Sequence, residues 1–180
     1  MIRLFFRLIF IIAGAAVIHV AAVQYLPTLI MSRVVTAAAG DANGKILFRD
    51  RATSDSRQVV RPSPDLLYSI CTFDVTRYPL KITTGAPTDT YWSVSFFAAN
   101  TDNFHVLNDG QAEGKSATIL LIGQGQKIPP QAETVTVVSA PTTTGLVLFR
   151  TLISDDARLA EIDQQRRVAK CENVLPNEVQ

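Results

Sequence analysis

The chain has 180 residues, 17 Lys and Arg against 16 Asp and Glu, a formal net charge of +1 and 47% hydrophobic residues. This balance excludes recognition of a polyanion by net charge, so no nucleic-acid partner is expected. The two cysteines, Cys71 and Cys171, lack Cys-x-x-Cys or Cys/His spacing, so neither a structural metal nor a cofactor is expected.

The amino terminus reads MIRLFFRLIFIIAGAAVIHVAAVQYLPTLIM, and between Leu8 and Val23 only His19 is neither apolar nor glycine. A helix rises about 1.5 Å per residue and a bilayer core is about 30 Å thick, so roughly 20 apolar residues suffice to cross it. Residues 6–31 exceed that and predict a span in contact with lipid. Arg3, Arg7 and the Val20-Ala21-Ala22 stretch also resemble a cleavable leader. The apolar run is longer than a leader's core and continues past Ala22, which favours an anchor over residues 1–31 that stays attached. Arg3 and Arg7 on one side against Arg33 on the other favour a cytoplasmic amino terminus. His19 is read as a neutral imidazole facing a neighbour or a backbone carbonyl, with a functional intramembrane group as the alternative.

Beyond the anchor about 145 residues remain, enough for one core. Residues 32–60 form a connecting segment, with Ser32 to Ala39 continuing the helix, a turn over Gly40–Gly44 and a short strand at Lys45–Phe48. Arg61-Pro62-Ser63-Pro64-Asp65 breaks regular structure twice. Strands are predicted at Leu66–Val75, Leu80–Thr84, Thr90–Ala98, Phe104–Leu107, Ala117–Ile122, Thr134–Ser139 and Gly145–Leu152. The gaps carry turn signals at Gly85-Ala86-Pro87, Asn108-Asp109-Gly110 and Pro129-Pro130. In the Thr90–Ala98 run, Trp92, Val94 and Phe96 alternate with Tyr91, Ser93 and Ser95, so the Trp92 face is expected to be buried. Seven or so short strands predict an antiparallel sandwich or barrel over residues 61–172. A single helix is predicted from Asp155 to about Cys171, capped by Ser154 or Asp155, with a stripe of Leu159, Ile162, Arg166 and Ala169. The Arg166-Arg167 pair is read as part of its solvated face, and residues 173–180 as a flexible tail.

Each cysteine is either a small buried hydrophobe or half of a disulfide. A bridge closing a loop of about 100 residues would contribute at most about 4.7 kcal/mol on the chain-entropy account, and bridges persist outside the cytoplasm.

Two polar groups are candidate sites. Arg61, Asp65, Tyr68 and Asp74 surround the start of a strand and are read as a structural network orienting Tyr68, or as a polar ligand site. Asn100, Asp102, Asn103 and His105 fall in a loop between strands, where His105 is a candidate base and the Asx residues are candidate turn formers. No Gly-x-Ser-x-Gly elbow occurs, and the Gly123–Lys127 stretch has the wrong spacing for a phosphate loop. No catalytic residue is assigned.

The motifs Arg61-Pro62-Ser63-Pro64-Asp65-Leu66-Leu67-Tyr68-Ser69, Phe73-Asp74-Val75 and Pro79 resemble the signature of the DUF1254 family. Thr90-Tyr91-Trp92 and Pro141 through Arg150-Thr151-Leu152 resemble two of its strands in the family's order. Ser63-Pro64, Leu66 and Tyr78 depart from its usual residues. The resemblance implies a jelly-roll-like β-domain, adds Arg150 to the candidate polar positions, and implies a DUF1214-type membrane protein as partner. The chain is expected to be a membrane-anchored periplasmic β-domain of a bacterial inner membrane, acting as an interaction or envelope-accessory module. Two alternatives are a small-molecule-binding domain with a mouth lined by Tyr91, Trp92 or Phe97, and a hydrolase or metal-dependent enzyme centred on Asp65 and His105.

Overall fold

A computed structural model describes residues 2–39, 44–57, 61–85, 87, 89–113, 115–127 and 135–174. The expected turns over Gly40–Gly44 and at Pro129-Pro130, and the tail beyond 174, lie largely outside these residues. Helix α1 covers Ile2–Ala39 in one continuous element of 38 residues, roughly 57 Å long at the usual rise. Pro27 lies inside it and has no N–H to donate to the preceding turn. The apolar window of this helix has no share buried within the protein. Burial appears only towards its end, where Met31 is buried and Pro27, Val34, Val35 and Ala38 are half-buried. Their spacing of three and four places them on one side of the helix.

Among the described residues nine strands follow: β1 Ile46–Phe48, β2 Leu66–Asp74, β3 Leu80–Thr83, β4 Trp92–Ala98, β5 Asn103–Asn108, β6 Thr118–Ile122, β7 Thr136–Ser139, β8 Thr144–Leu152 and β9 Lys170–Asn173. They form a five-stranded sheet in the order β1-β2-β8-β4-β5 and a four-stranded sheet in the order β7-β6-β3-β9. The larger sheet is antiparallel throughout, as expected of an antiparallel sandwich, and the smaller one is mixed, with β6 and β7 running parallel. The long Gly123–Val135 connection is what allows β7 to return in the same direction as β6.

The core lies between the sheets. Phe73 and Cys71 on β2, Trp92, Val94 and Phe96 on β4, and Val147 and Phe149 on β8 meet Leu80, Ile82, Ile119, Leu121 and Cys171 of the smaller sheet. The Trp92 face is buried as its alternation predicts. Ser93 and Ser95 are also buried, because β4 is an interior strand flanked by β8 and β5 and the Arg150 side chain reaches Ser95 from β8. Cys71 and Cys171 form a disulfide whose Cα atoms are 6.6 Å apart, joining β2 of one sheet to β9 of the other.

The late helix is shorter than its sequence suggests. A 3-10 turn over Asp156–Arg158 leads into α2, Leu159–Arg166, with the Asp155 side chain accepting from the Ala157 N–H as its cap. The chain then becomes β9, which pairs antiparallel with β3 and sets Cys171 opposite Ile82. Lys-Cys-Glu-Asn has no strong strand preference. The open edge of β3 and the disulfide supply the conformation, a tertiary effect that outweighs local propensity. Ile162 is fully buried against Leu67 and Ile153. Arg166 is also buried, at 4% exposure, which corrects its assignment to a solvated face, while Arg167 is exposed.

Candidate functional site

The inner face of the large sheet is consumed by the core, so its outer face is the surface left for other work. α1 packs against β2 and β8 on that outer side, where Thr72 and Leu146 are buried. The register sets Leu47, Ile70, Leu148, Ser95 and Val106 in one row across all five strands. Leu47 is 37% and Val106 40% exposed, so both ends of the row are open to solvent. Tyr68, Arg150, Ser93 and Asn108 form the next row, and Tyr91 is exposed just before β4.

Arg150 is the centre of this face. Its Nη2 donates to Ser95 Oγ at 2.7 Å, and small serines on β4 leave room for the long side chain to lie across the strand. Its Nε is buried and has no hydrogen-bond partner, and neither has Ser93 Oγ beside it. A guanidinium carries five N–H donors in a fixed fork, and an unused buried donor costs about 1–3 kcal/mol. The guanidinium thus keeps hydrogen-bonding capacity that the described residues do not use.

The other expected polar residues are spread over both ends of the sheet. Arg61 is exposed and lines an open cleft of about 520 Å³ with Ala52, Ser54, Arg57 and Pro64. Asp65 is exposed, and its backbone carbonyl accepts from the Ile153 N–H. Among the described residues no ion pair joins Arg61 to Asp65. The Tyr68 hydroxyl instead accepts from the Ser63 N–H at 3.0 Å, so the proline-flanked turn itself positions it. Asp74 lies at the far end of β2 and accepts from the Thr76 N–H as an Asx turn. Asn100 and Asp102 hydrogen-bond to each other in an exposed turn with Thr101 at a φ of 73°, and Asn103 opens β5.

His105 stands on β5 opposite Phe96, with ring centroids 5.4 Å apart. Its Nε2 is buried without a partner, and burial pushes its pKa below the usual imidazole value. Along the register His105, Phe96, Val147 and Cys71 share one row, six residues up β2 from Asp65. At about 3.3 Å per residue this separates Asp65 from His105 by roughly 20 Å along the strand alone. The two do not form one acid–base site. Among the described residues no cluster of three or more His, Cys, Asp or Glu is placed to hold a metal. Tyr91, Trp92 and Phe97 do not line one cavity, because Trp92 enters the core while Tyr91 and Phe97 belong to the other face.

Arg166, which the sequence places on the helix but not among the candidate site residues, makes four side-chain hydrogen bonds. Its Nη1 donates to the Tyr68 carbonyl and to Ser69 Oγ, each at 2.8 Å. Nη2 donates to the Arg49 carbonyl at 2.7 Å, and Nε to Asp163 Oδ1 at 2.7 Å. Burial opposes ionisation of Asp163, but hydrogen bonds from Arg167 and Arg166 and their charges outweigh it and hold its carboxyl below the usual carboxylate range. The signal in the sequence was position: Arg166 lies four residues after Ile162 on the apolar stripe of the helix.

The fold resembles that of the VPA0106 protein of Vibrio parahaemolyticus, with a TM-score of 0.66 at 11% identity, over 85% of this chain and 37% of that one. An uncharacterised protein of Burkholderia cenocepacia matches with a TM-score of 0.47 at 19% identity, over 84% of this chain and 41% of that one. The chain thus spans well under half the length of either structure. No curated protein matches it. The sequence profile described as a protein of unknown function, DUF1254, matches residues 43–173, most of the chain and nearly all of the β-domain. The chain is a member of the DUF1254 family.

Proposed function

We propose that the chain is a single-pass, membrane-tethered domain on the periplasmic side of a bacterial inner membrane. On this reading it binds a DUF1214-type membrane protein across the outer face of its five-stranded sheet. The observation that carries the proposal is Arg150: a partly unsatisfied guanidinium on a mixed polar and apolar face that also carries the exposed Val106 and Tyr91. Arginine and aromatic residues are the usual anchors of protein interfaces. The disulfide supports an oxidising compartment, and the charges Arg3 and Arg7 support an amino terminus on the opposite side. The length of the solved relative supports a surface that meets further polypeptide.

The test is co-purification from detergent-solubilised membranes with a tagged full-length chain. A DUF1214-type protein is expected with the wild type. Arg150→Met keeps the stem and removes the fork, and is expected to weaken binding about 10- to 100-fold, the range for a charged hydrogen bond. The buried Trp92, the chain's single tryptophan, reports by fluorescence that the variant is folded. Failure to recover that protein with the wild type, or equal recovery with a folded Arg150→Met chain, defeats the proposal.

A further inference from the structure

Between Leu8 and Val23 the anchor has one polar side chain, His19, and the helix exposes it on its surface. It lies twelve residues from Arg7 and fourteen from Arg33, roughly 18 and 21 Å by helical rise. If those arginines mark the two interfaces, the imidazole sits near the middle of the bilayer, where a polar group needs a partner. The surroundings on the helix are specific. At about 100° per residue His19 shares its face with Ile12, Ala15, Ala16, Ala22, Val23 and Leu26, while Gly14, Val17 and Ala21 face the opposite way. Alanines one turn before and after the imidazole leave room for a second helix backbone to come close. The stripe that meets the β-domain, Pro27, Met31, Val34, Val35 and Ala38, is centred roughly a quarter-turn away, so the domain does not cover the His19 face.

We infer that α1 self-associates in the membrane as a parallel pair through this face, with the two copies' His19 side chains bonded to each other. The inference rests on the membrane-spanning reading above. A second copy is the occupant favoured by the chemistry. A neutral imidazole has one donor and one acceptor, so two of them at equal depth satisfy each other. Copies inserted in the same direction necessarily place His19 at the same depth. A two-fold axis then makes the Ala15, Ala16 and Ala22 surface its own complement. A different helix would have to bring its own polar group to that level.

The test uses the full chain in native membranes, with single cysteines introduced as Ala15→Cys, Ala22→Cys, Gly14→Cys, Val17→Cys and Ala21→Cys, followed by oxidative cross-linking and non-reducing gels. The unaltered chain, whose own cysteines are bonded to each other, gives the background. Homodimer is expected strongly from positions 15 and 22 and weakly from 14, 17 and 21. Adding His19→Leu to Ala15→Cys is expected to lower the dimer fraction about 3- to 10-fold, and His19→Asn to retain it. Carbonate extraction of the same membranes tests the anchor separately. A carbonate-resistant chain that gives no periodic homodimer, that cross-links to a different protein, or that ignores His19→Leu overturns the self-association while leaving the anchor standing. A chain released by carbonate overturns both.

Discussion

Replacing Arg166 with leucine tests the internal architecture most severely. The guanidinium joins three parts of the domain that are far apart in sequence: Arg49 just after β1, Tyr68 and Ser69 on β2, and Asp163 on α2. Leucine fills part of the volume but leaves the Arg49 carbonyl and Ser69 Oγ without their donor, while the Tyr68 carbonyl keeps the Arg49 N–H at 3.0 Å. Each orphaned buried acceptor costs about 1–3 kcal/mol, and water reaching the Arg49 side recovers part of that. Asp163 retains Arg167 at 2.8 Å and is partly solvated, so its loss is smaller. Together with the smaller loss at Asp163, the two orphaned acceptors place Arg166→Leu at about 3–5 kcal/mol. For a β-domain of this size the loss corresponds to a drop in Tm of about 10–20 °C. Trp92 is buried in the β-core and α1 has no tryptophan, so fluorescence in mild detergent follows unfolding of this domain alone. Arg166→Lys keeps the charge but not the fork and should fall between leucine and wild type. An Arg166→Leu chain within about 1 kcal/mol of wild type would refute the view that this residue ties α2 to the large sheet.

Reducing the Cys71–Cys171 bridge, or replacing both residues by alanine, should cost about 2–4 kcal/mol, with the 100-residue separation placing the ceiling near 4.7 kcal/mol; denaturant midpoints with and without reductant measure it, and no change would mean that packing alone holds the sheets together. Gly145→Ala should be strongly destabilising, because a Cβ there would meet the Phe97 carbonyl and approach the Phe73 ring to 2.5 Å, and a folded variant with an unchanged Tm would contradict that geometry. His105 is held below its ordinary pKa by burial, so the unfolded chain takes up a proton first as the pH falls. Stability should therefore decline once the pH drops through about 6.5 and level off below the folded-state value, and His105→Phe should abolish this limb of the pH profile. An unchanged limb in that variant would assign the effect elsewhere.

Much of the domain was legible because its strands are written in β-branched and aromatic residues separated by Gly, Pro, Asn and Asp. The runs at Leu66–Asp74 and Thr144–Leu152 are of this kind, and they became the central pair of the large sheet. The Cys71–Cys171 pair was visible as a possibility, and only the meeting of β2 with β9 across the core made it a bridge. β9 itself was illegible, since Lys170–Asn173 is a strand through β3's edge and not through its own composition. The parallel course of β7 beside β6 is a matter of strand pairing that no local pattern encodes. Arg166 illustrates the same limit at the level of one residue. Its place on an apolar stripe marked it as inward-facing, but charge argued for solvent, and only the convergence of Arg49, Tyr68 and Ser69 resolves the conflict. Arg150 stood out through the Arg-Thr-Leu motif alone, whereas its unfilled donor is a property of the folded sheet.

The most direct measurement replaces Val106, at the open end of the outer-face row, with a photo-crosslinking amino acid in the full chain and irradiates intact membranes. The exposed Lys81 position on the four-stranded sheet serves as the control. The account predicts a covalent adduct with a DUF1214-type protein from position 106, lost in the Arg150→Met background and absent from position 81. Adducts of equal yield from both positions, or no protein adduct from position 106, would contradict it.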